Sequence, residues 1–200
     1  MEVVISLGRY PEEIKISNKD SKTSLVSIEL IIAISRDSRK IFSLFKSIHE
    51  VKTINEKIKD LLWQEKKLPV VLDILSRLGF LFYYLFDNIS ILSSIKFIHT
   101  DAKFVNKLAS FGWAIGLVFA LIKDFIGLFK IIQTQKTEKK DYEVEIFNKL
   151  LEIIMKLSDL LVALNGLDVP LMLTGKSLND GVQGGAGLVS AVIGIYNSFK

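Results

Sequence analysis

From Ile41 onward the apolar positions recur in a heptad, at Ile41, Leu44, Ile48, Val51, Ile58 and Leu62, with Asn55 as the polar position in the seam. Phe42, Phe45, Ile54 and Leu61 widen that face, and Lys46, Lys52, Lys57 and Lys59 sit opposite. Residues repeating at steps of three and four share one side of a helix, so the pattern predicts a basic amphipathic helix over 39–63. Periodicity alone fits both a helix of a soluble bundle and a helix lying on a membrane surface. Ahead of it, residues 1–23 are polar and interrupted by Pro11, which predicts a tail, with helix beginning near Ser24.

A break falls at Leu68-Pro69, and Pro69 is suited to the first turn of a new helix. The stretch 70–98 is hydrophobic on most sides yet carries Asp73, Arg77, Asp87 and Lys96. Each such charge costs about 2.5 to 3.5 kcal/mol at a bilayer centre, which favours a helix packed against others or half-sunk in the interface. Asp73 and Arg77 are spaced to pair along one helix face. Residues 108–122 are free of charge and hold Gly112 and Gly116 as G-x-x-x-G; extended through Lys123 and Asp124, the candidate membrane segment runs 108–129. A polar loop is predicted over 133–144 and an amphipathic helix over 142–165. The chain thus divides into a tail (1–23), a basic amphipathic region (24–67), a hydrophobic region (68–132), the loop, and a final region (145–200), all in a single domain.

The end of the chain, 181–199, lacks charge and is rich in glycine. Its length matches a hydrocarbon core of roughly 30 Å. Gly181 and Gly185 form a second G-x-x-x-G, and Gly187, Ala191 and Gly194 continue a small-residue stripe on one helix face. Such stripes let two backbones approach where lipid supplies no hydrophobic drive. The alternative is a glycine-rich loop followed by a short buried helix.

Composition narrows the class. Half of the residues are hydrophobic while 24% are charged, and the mean hydropathy is +0.36. That mixture suits amphipathic helices beside a bilayer with one or two crossings, an all-α membrane-associated protein with an amphipathic N-terminal half and membrane-embedded C-terminal helices. With no cysteine, thiolate chemistry and disulfides are excluded. No secretory leader is expected at the acidic Met1 end, and Ser198-Phe-Lys200 differs from the tripeptide that directs soluble proteins into the peroxisome lumen. The basic excess is local: 36–67 holds nine Lys or Arg against five Asp or Glu, as expected of a segment that meets anionic phospholipid. Nucleic acid is not expected as a partner, since the segment has neither aromatic interleaving nor a recognition-helix pattern.

Candidate chemistry changes little. Pro170-Leu-Met-Leu-Thr-Gly-Lys-Ser177 imitates a phosphate-binding loop, but proline replaces its first glycine, and the following apolar residues cannot turn successive amides inward. His49 and His99 are isolated, and Asp87-Asn88 and Asn179-Asp180 lack a neighbouring nucleophile or metal set. Capping or pairing within the helices is their expected role. No enzyme activity, metal or cofactor is expected.

Four segments together resemble a known family. Ser76-Arg-Leu-Gly79-Phe-Leu-Phe-Tyr-Tyr-Leu-Phe-Asp87-Asn88-Ile89 is similar to the Gly-aromatic-Asp-Asn segment of the peroxisomal biogenesis factor 11 family. Leu178-Asn-Asp180-Gly181, running on through Gly194-Ile-Tyr196, resembles that family's closing motif. Asn106-Lys-Leu, Trp113 and Lys123-Asp124 resemble its middle, and Ser35-Arg-Asp-Ser-Arg39-Lys40-Ile-Phe42 its start. The resemblance implies a peroxisomal membrane protein, or one of a related organelle such as the glycosome, that elongates and tubulates the membrane before fission; a solute pore is also attributed to some members. It makes the 39–63 helix the membrane-inserting element, with Arg39, Lys40, Phe42, Phe45, Lys46, Ile48 and Lys52 at the lipid. It further implies a homo-oligomer and, as partners, the fission machinery of a dynamin-related GTPase and its adaptor.

Overall fold

Long runs of Leu, Ile, Phe, Ala and Lys with few interior breakers favour helix over any other state. The computed structural model describes residues 46–63, 67–94, 98–138 and 142–199, all within the unit Lys40–Lys200. Among the described residues there is no strand. The helices are α1 (46–63), α2 (Lys67–Ser94), α3 (Ala102–Glu138), α4 (Glu143–Gly166), the short α5 (Val169–Thr174) and α6 (Asp180–Ser198). Pro69 lies in the first turn of α2, where its missing N–H removes no helical bond.

The helices lie side by side. Among the described residues α3 contacts α2 and α4, α4 contacts α6, and α2 touches neither α4 nor α6. Neighbours run antiparallel, as the pairing of Asp73 with Lys123 and of Tyr83 with Trp113 shows for α2 and α3. α3 therefore stands between α2 and α4.

Three glycines set the closest approach among these helices. A Cβ built on Gly79 would lie 2.5 Å from the Gly116 nitrogen and 2.6 Å from its Cα, while one on Gly112 would lie 2.8 Å from the Tyr83 nitrogen. Backbone meets backbone here, and the buried Ser76 hydroxyl donates to the Gly116 carbonyl at 2.8 Å. Tyr83 stacks on Trp113 with ring centroids 5.4 Å apart, and Ser90 bonds Asn106 at 2.6 Å further along. Close packing and hydrogen bonds of this kind fix register where apolar side chains alone would slide.

Between α3 and α4 the packing is side-chain based, with Ala114, Leu117 and Ala163 at its centre and Phe80, Trp113, Leu160 and Leu167 around them. α4 is followed by a sharp turn in which Asp168 takes φ 59° and is paired to Lys107 at 2.7 Å. Gly175, at φ 72°, ends α5 in the left-handed region that glycine enters freely. The Asn165 side chain then accepts from the Leu178 amide, and Asn179 caps α6 by accepting from the Val182 amide at 2.8 Å. α6 returns along α4 with Ile193 buried and Gln183, Ala186, Ser190 and Asn197 only partly exposed.

Two boundaries differ from the sequence reading. α3 continues to Glu138 and α4 opens at Glu143, so helix occupies most of the loop expected over 133–144. Glu143 and Glu145 help to start α4 by lying at the positive end of its dipole. Among the described residues one helix, Lys67–Ser93, is long and apolar enough by length and composition to cross a membrane. The expected start of helix near Ser24 and the tail over 1–23 lie outside the described residues.

The glycine crossing generates a paired prediction. Gly79→Ala forces a methyl against the α3 backbone and lowers the stability of the detergent-solubilised protein by about 1 to 3 kcal/mol, the usual cost of overpacking. Gly185→Ala meets nothing within 4 Å and gains up to about 1 kcal/mol in helix propensity. Thermal melts followed by circular dichroism should move in opposite directions; a Gly79→Ala melt equal to wild type would show that the helices can separate freely there.

Candidate functional site

The amphipathic pattern of α1 fixes which side it can offer to its neighbours. Glu50, Ile54 and Lys57, at helical spacing, form its inward stripe: Ile54 is buried, Glu50 reaches Arg77 at 3.1 Å, and Lys57 approaches Asp73 at 3.8 Å. Lys46 lies 5.5 Å above the Tyr84 ring. The heptad positions within the described residues face outward, with Ile48 68% exposed and Leu62 78%, and Val51 and Ile58 about half exposed. α1 is thus attached through ions, an aromatic contact and one buried isoleucine, while its apolar stripe remains free.

The ion pairs extend inward. Asp73 accepts from Lys123 at 2.5 Å and lies 3.6 Å from the Arg77 Nε. Next in sequence to Lys123, Asp124 is 1% exposed and turns to the other side, where Lys149 donates to one oxygen at 3.0 Å and Lys156 to the other at 2.5 Å. Glu152 accepts from Lys149 at 2.8 Å, so Asp124 and Glu152 balance the two lysines. Burial alone would lower the Lys149 pKa, but hydrogen bonds to Glu152 and Asp124, with their charges, outweigh it and hold the ammonium above its usual value. For Asp159, burial raises the carboxyl pKa against the opposing effects of a hydrogen bond from Ser190 and the charge of Lys156.

These groups border a cleft of about 400 Å³ lined from four helices: Glu50 of α1; Asp73, Ser76, Arg77, Phe80 and Tyr84 of α2; Trp113, Leu117, Ala120 and Lys123 of α3; and Met155, Lys156 and Asp159 of α4. On the other side of the α2–α3 pair, a smaller apolar groove is bordered by Leu75, Leu78, Phe82, Phe111, Ile115 and Phe119. Asp73 and Leu75 are two positions apart, about 200° around a helix, so the two concavities open in opposite directions. Large apolar side chains continue outward along α3 at Phe104, Phe111, Val118, Ile122, Phe125 and Phe129, and along α4 at Phe147, Leu150, Ile154, Leu157 and Leu161. Among the described residues the interior is mostly apolar with one carboxylate and two serines, and large apolar side chains, phenylalanine and leucine among them, also stand exposed in number.

The residues singled out from sequence are distributed unevenly. Arg39, Lys40, Phe42 and Phe45 lie outside the described residues; Lys46 sits over Tyr84, and Ile48 and Lys52 are exposed. Gly112 and Gly116 form the α2–α3 crossing with Gly79. The terminal glycines do not take part in an equivalent contact: a Cβ on Gly185 or Gly187 would meet nothing within 4 Å, one on Gly181 only the Asn179 side chain, and one on Gly194 only Met155 at 3.9 Å. Ala191 is exposed, as are Asp180, in the first turn of α6, and Tyr196; Asp87 and Asn88 are half-buried in α2. Sequence reasoning missed Glu50, Lys149, Glu152, Lys156 and Asp159. Lys149, Glu152 and Lys156 at steps of three and four were a legible charged stripe, but nothing local says that it meets Asp124.

An all-helical layer with apolar side chains outside and ion pairs between its helices is the construction of a membrane-associated helical protein. The chain belongs to the peroxisomal biogenesis factor 11 (PEX11) family, whose model matches residues 15–199. No curated protein and no solved structure matches it. Membership makes it a peroxisome-associated protein with a role in peroxisome biogenesis.

Replacing Asp124 by alanine strands two ammonium groups beside Glu152 alone. Losing one partner of a buried ion cluster costs about 3 to 5 kcal/mol, whereas Lys156→Met, which leaves Asp124 paired to Lys149, should cost less. The same cluster sets an alkaline limit. A lysine raised above its ordinary value of 10.5 contributes stability fully below that pH and loses it as the pH climbs through the folded value. Unfolding midpoints of the two variants, measured between pH 7 and 11.5, check both statements; equal melts for Asp124→Ala and wild type would contradict them.

Proposed function

We infer that the chain remodels the peroxisomal membrane, elongating it and promoting proliferation and fission. The outward apolar stripe of α1, held to the layer through its opposite side, carries this reading. A stripe of Ile48, Val51, Ile58 and Leu62 entering one leaflet expands that leaflet relative to the other, and Lys52 and Lys59 beside it select anionic phospholipid. Homo-oligomers would concentrate many such wedges, and the dynamin-related GTPase with its adaptor would act on the narrowed tubule. The location is the peroxisomal membrane, or that of a related organelle such as the glycosome.

A second reading, a metabolite channel, draws on the polar cleft, which Asp73, Arg77 and Lys123 line and to which Asp87 does not contribute. Its cations are engaged by carboxylates rather than aligned as a single-sign path.

The tagged protein should outline peroxisomes as rings and resist alkaline extraction; a cytosolic or mitochondrial pattern at native expression is the contrary result. Purified protein on anionic liposomes should draw tubules without releasing a trapped dye, whereas dye release without shape change selects the channel. A peptide of residues 39–63 should be disordered in water and helical on anionic vesicles, because a lone helix of this length is marginal without an apolar surface. Phe45→Asp should abolish that binding, read by circular dichroism and co-sedimentation.

A further inference from the structure

The turn that joins α4 to α6 carries its apolar side chains on the outside. In α5, Val169 and Pro170 are half-buried, whereas Leu171, Met172 and Leu173 are 45, 77 and 79% exposed. A turn that faces water is ordinarily polar, so three consecutive exposed apolar residues at its tip require a medium that covers them. The turn is also held in shape. Asp168, at its start, is the one non-glycine residue with positive φ among the described residues, at 59°, and Lys107 of α3 pairs with it at 2.7 Å. A strained backbone of this kind persists only where its surroundings fix it. At the far end Gly175 takes φ 72°, and the Asn165 side chain accepts from the Leu178 amide at 3.0 Å, which closes the loop on itself. Within the tip the Met172 amide donates to the Asp168 carbonyl and the Gly175 amide to the Leu171 carbonyl, each at 2.9 Å. Pro170 has no N–H, and the Thr174 hydroxyl donates to its carbonyl at 2.7 Å. Such bonds lower the cost of taking a turn's backbone out of water.

We propose that the tip of the α4–α6 turn, Leu171 to Leu173, enters the bilayer as a lipid contact of its own, in the hydrocarbon just beneath the headgroups. Geometry selects lipid over a protein partner. Successive side chains on a helix point about 100° apart, so Leu171, Met172 and Leu173 fan over roughly 200°. A flat protein face covers only part of that fan, whereas fluid hydrocarbon closes around all of it. Lys176, exposed just beyond Gly175, has a stem long enough to keep its ammonium among the headgroups. This contact is separate from the α1 stripe. The later part of α1 lies by Asp73, near the start of α2, and the tip lies by Lys107, near the start of α3. With α2 and α3 antiparallel, these are opposite ends of the pair. Lipid contacts at both ends fix how the helices sit against the bilayer, which a stripe on α1 alone leaves free to tilt. The inference rests on membrane association and not on remodelling.

The chain has no cysteine, so a single introduced thiol can be labelled without background. The full chain carrying Met172→Cys, labelled with the environment-sensitive fluorophore nitrobenzoxadiazole, is reconstituted in vesicles of phosphatidylcholine and phosphatidylglycerol. Emission is read with and without lipids that bear a nitroxide on the upper acyl chain, and with iodide on both sides of the bilayer. The expected result is a blue-shifted label that the nitroxide lipid quenches strongly and iodide hardly at all. Leu171→Asn combined with Leu173→Asn in the same labelled chain removes the apolar neighbours and should cut the nitroxide quenching by roughly half or more, with the helical signal in circular dichroism retained. Should that pair of changes lose the helical signal, Leu173→Asn alone carries the comparison. Quenching by iodide and not by the nitroxide lipid overturns the proposal. So does a label that neither quencher reaches, as when a second copy of the chain covers the tip, and so does unchanged nitroxide quenching in the asparagine variant. A label at Ile48→Cys in the same vesicles reports on the α1 stripe, so failure of that contact is read separately from failure of this one.

Discussion

A helix with opposite charges on two adjacent residues cannot bury both against one neighbour, and α3 resolves this by having a neighbour on each side. Lys123 turns to Asp73 of α2, and Asp124 turns to Lys149 and Lys156 of α4. Successive side chains on a helix point about 100° apart, so this division follows from geometry once both groups must be partnered. The cost of a lone charge in an apolar layer then keeps α3 central. The glycine crossing and the Ala114–Ala163 packing refine the two interfaces that these charges select.

The same ions shape what the surface can do. In a water-soluble bundle apolar side chains would point at one another, and α1 would bury Ile48, Val51, Ile58 and Leu62. Here Glu50 and Lys57 hold it by the other side, and the stripe is left available to lipid. Ion pairs at the attachment leave the cleft polar, while the glycine contact two positions round α2 leaves the opposite side apolar. One helix, α2, therefore serves both sides: Asp73, Ser76 and Arg77 on one, Leu75, Leu78 and Phe82 on the other.

Much of this was legible in the chain. The heptad of 41–62, the start at Pro69, the cap at Asn179, the spacing of Asp73 with Arg77 and the family motifs are local patterns, and local geometry realises those that fall within the described residues. The limits of α3 were less legible, because Gln133 to Glu138 is polar on all sides and polarity does not stop a helix that has no breaker. Among the described residues the helix that by length and composition could cross a membrane is α2, whose charges at Asp73, Arg77 and Asp87 argue against a span when the sequence is read alone. The cleft was the least legible feature: Glu50, Arg77, Lys123 and Asp159 come from four helices, and no periodicity along one helix reports a partner on another.

The two G-x-x-x-G motifs make the same point most directly. Gly112 and Gly116 in α3 are spaced like Gly181 and Gly185 in α6, yet the first pair meets the α2 backbone and the second meets no backbone among the described residues. What separates them is the facing residue. Opposite Gly112 and Gly116 stand Gly79 and Ser76, small enough for contact and able to bond the Gly116 carbonyl, whereas α6 lies on α4 through Ile193 and Ser190 and turns its early glycines away. Spacing makes a close approach possible; a second small surface with a donor in register makes it happen. Glycines at 181, 184, 185 and 187 each cost a helix in water about 1 kcal/mol relative to alanine, and among the described residues no close backbone contact offsets that cost. The stability of α6 rests instead on its Asn179 cap, on Ile193, and on the tie from Asn165 to Leu178, which fixes the chain just ahead of the cap.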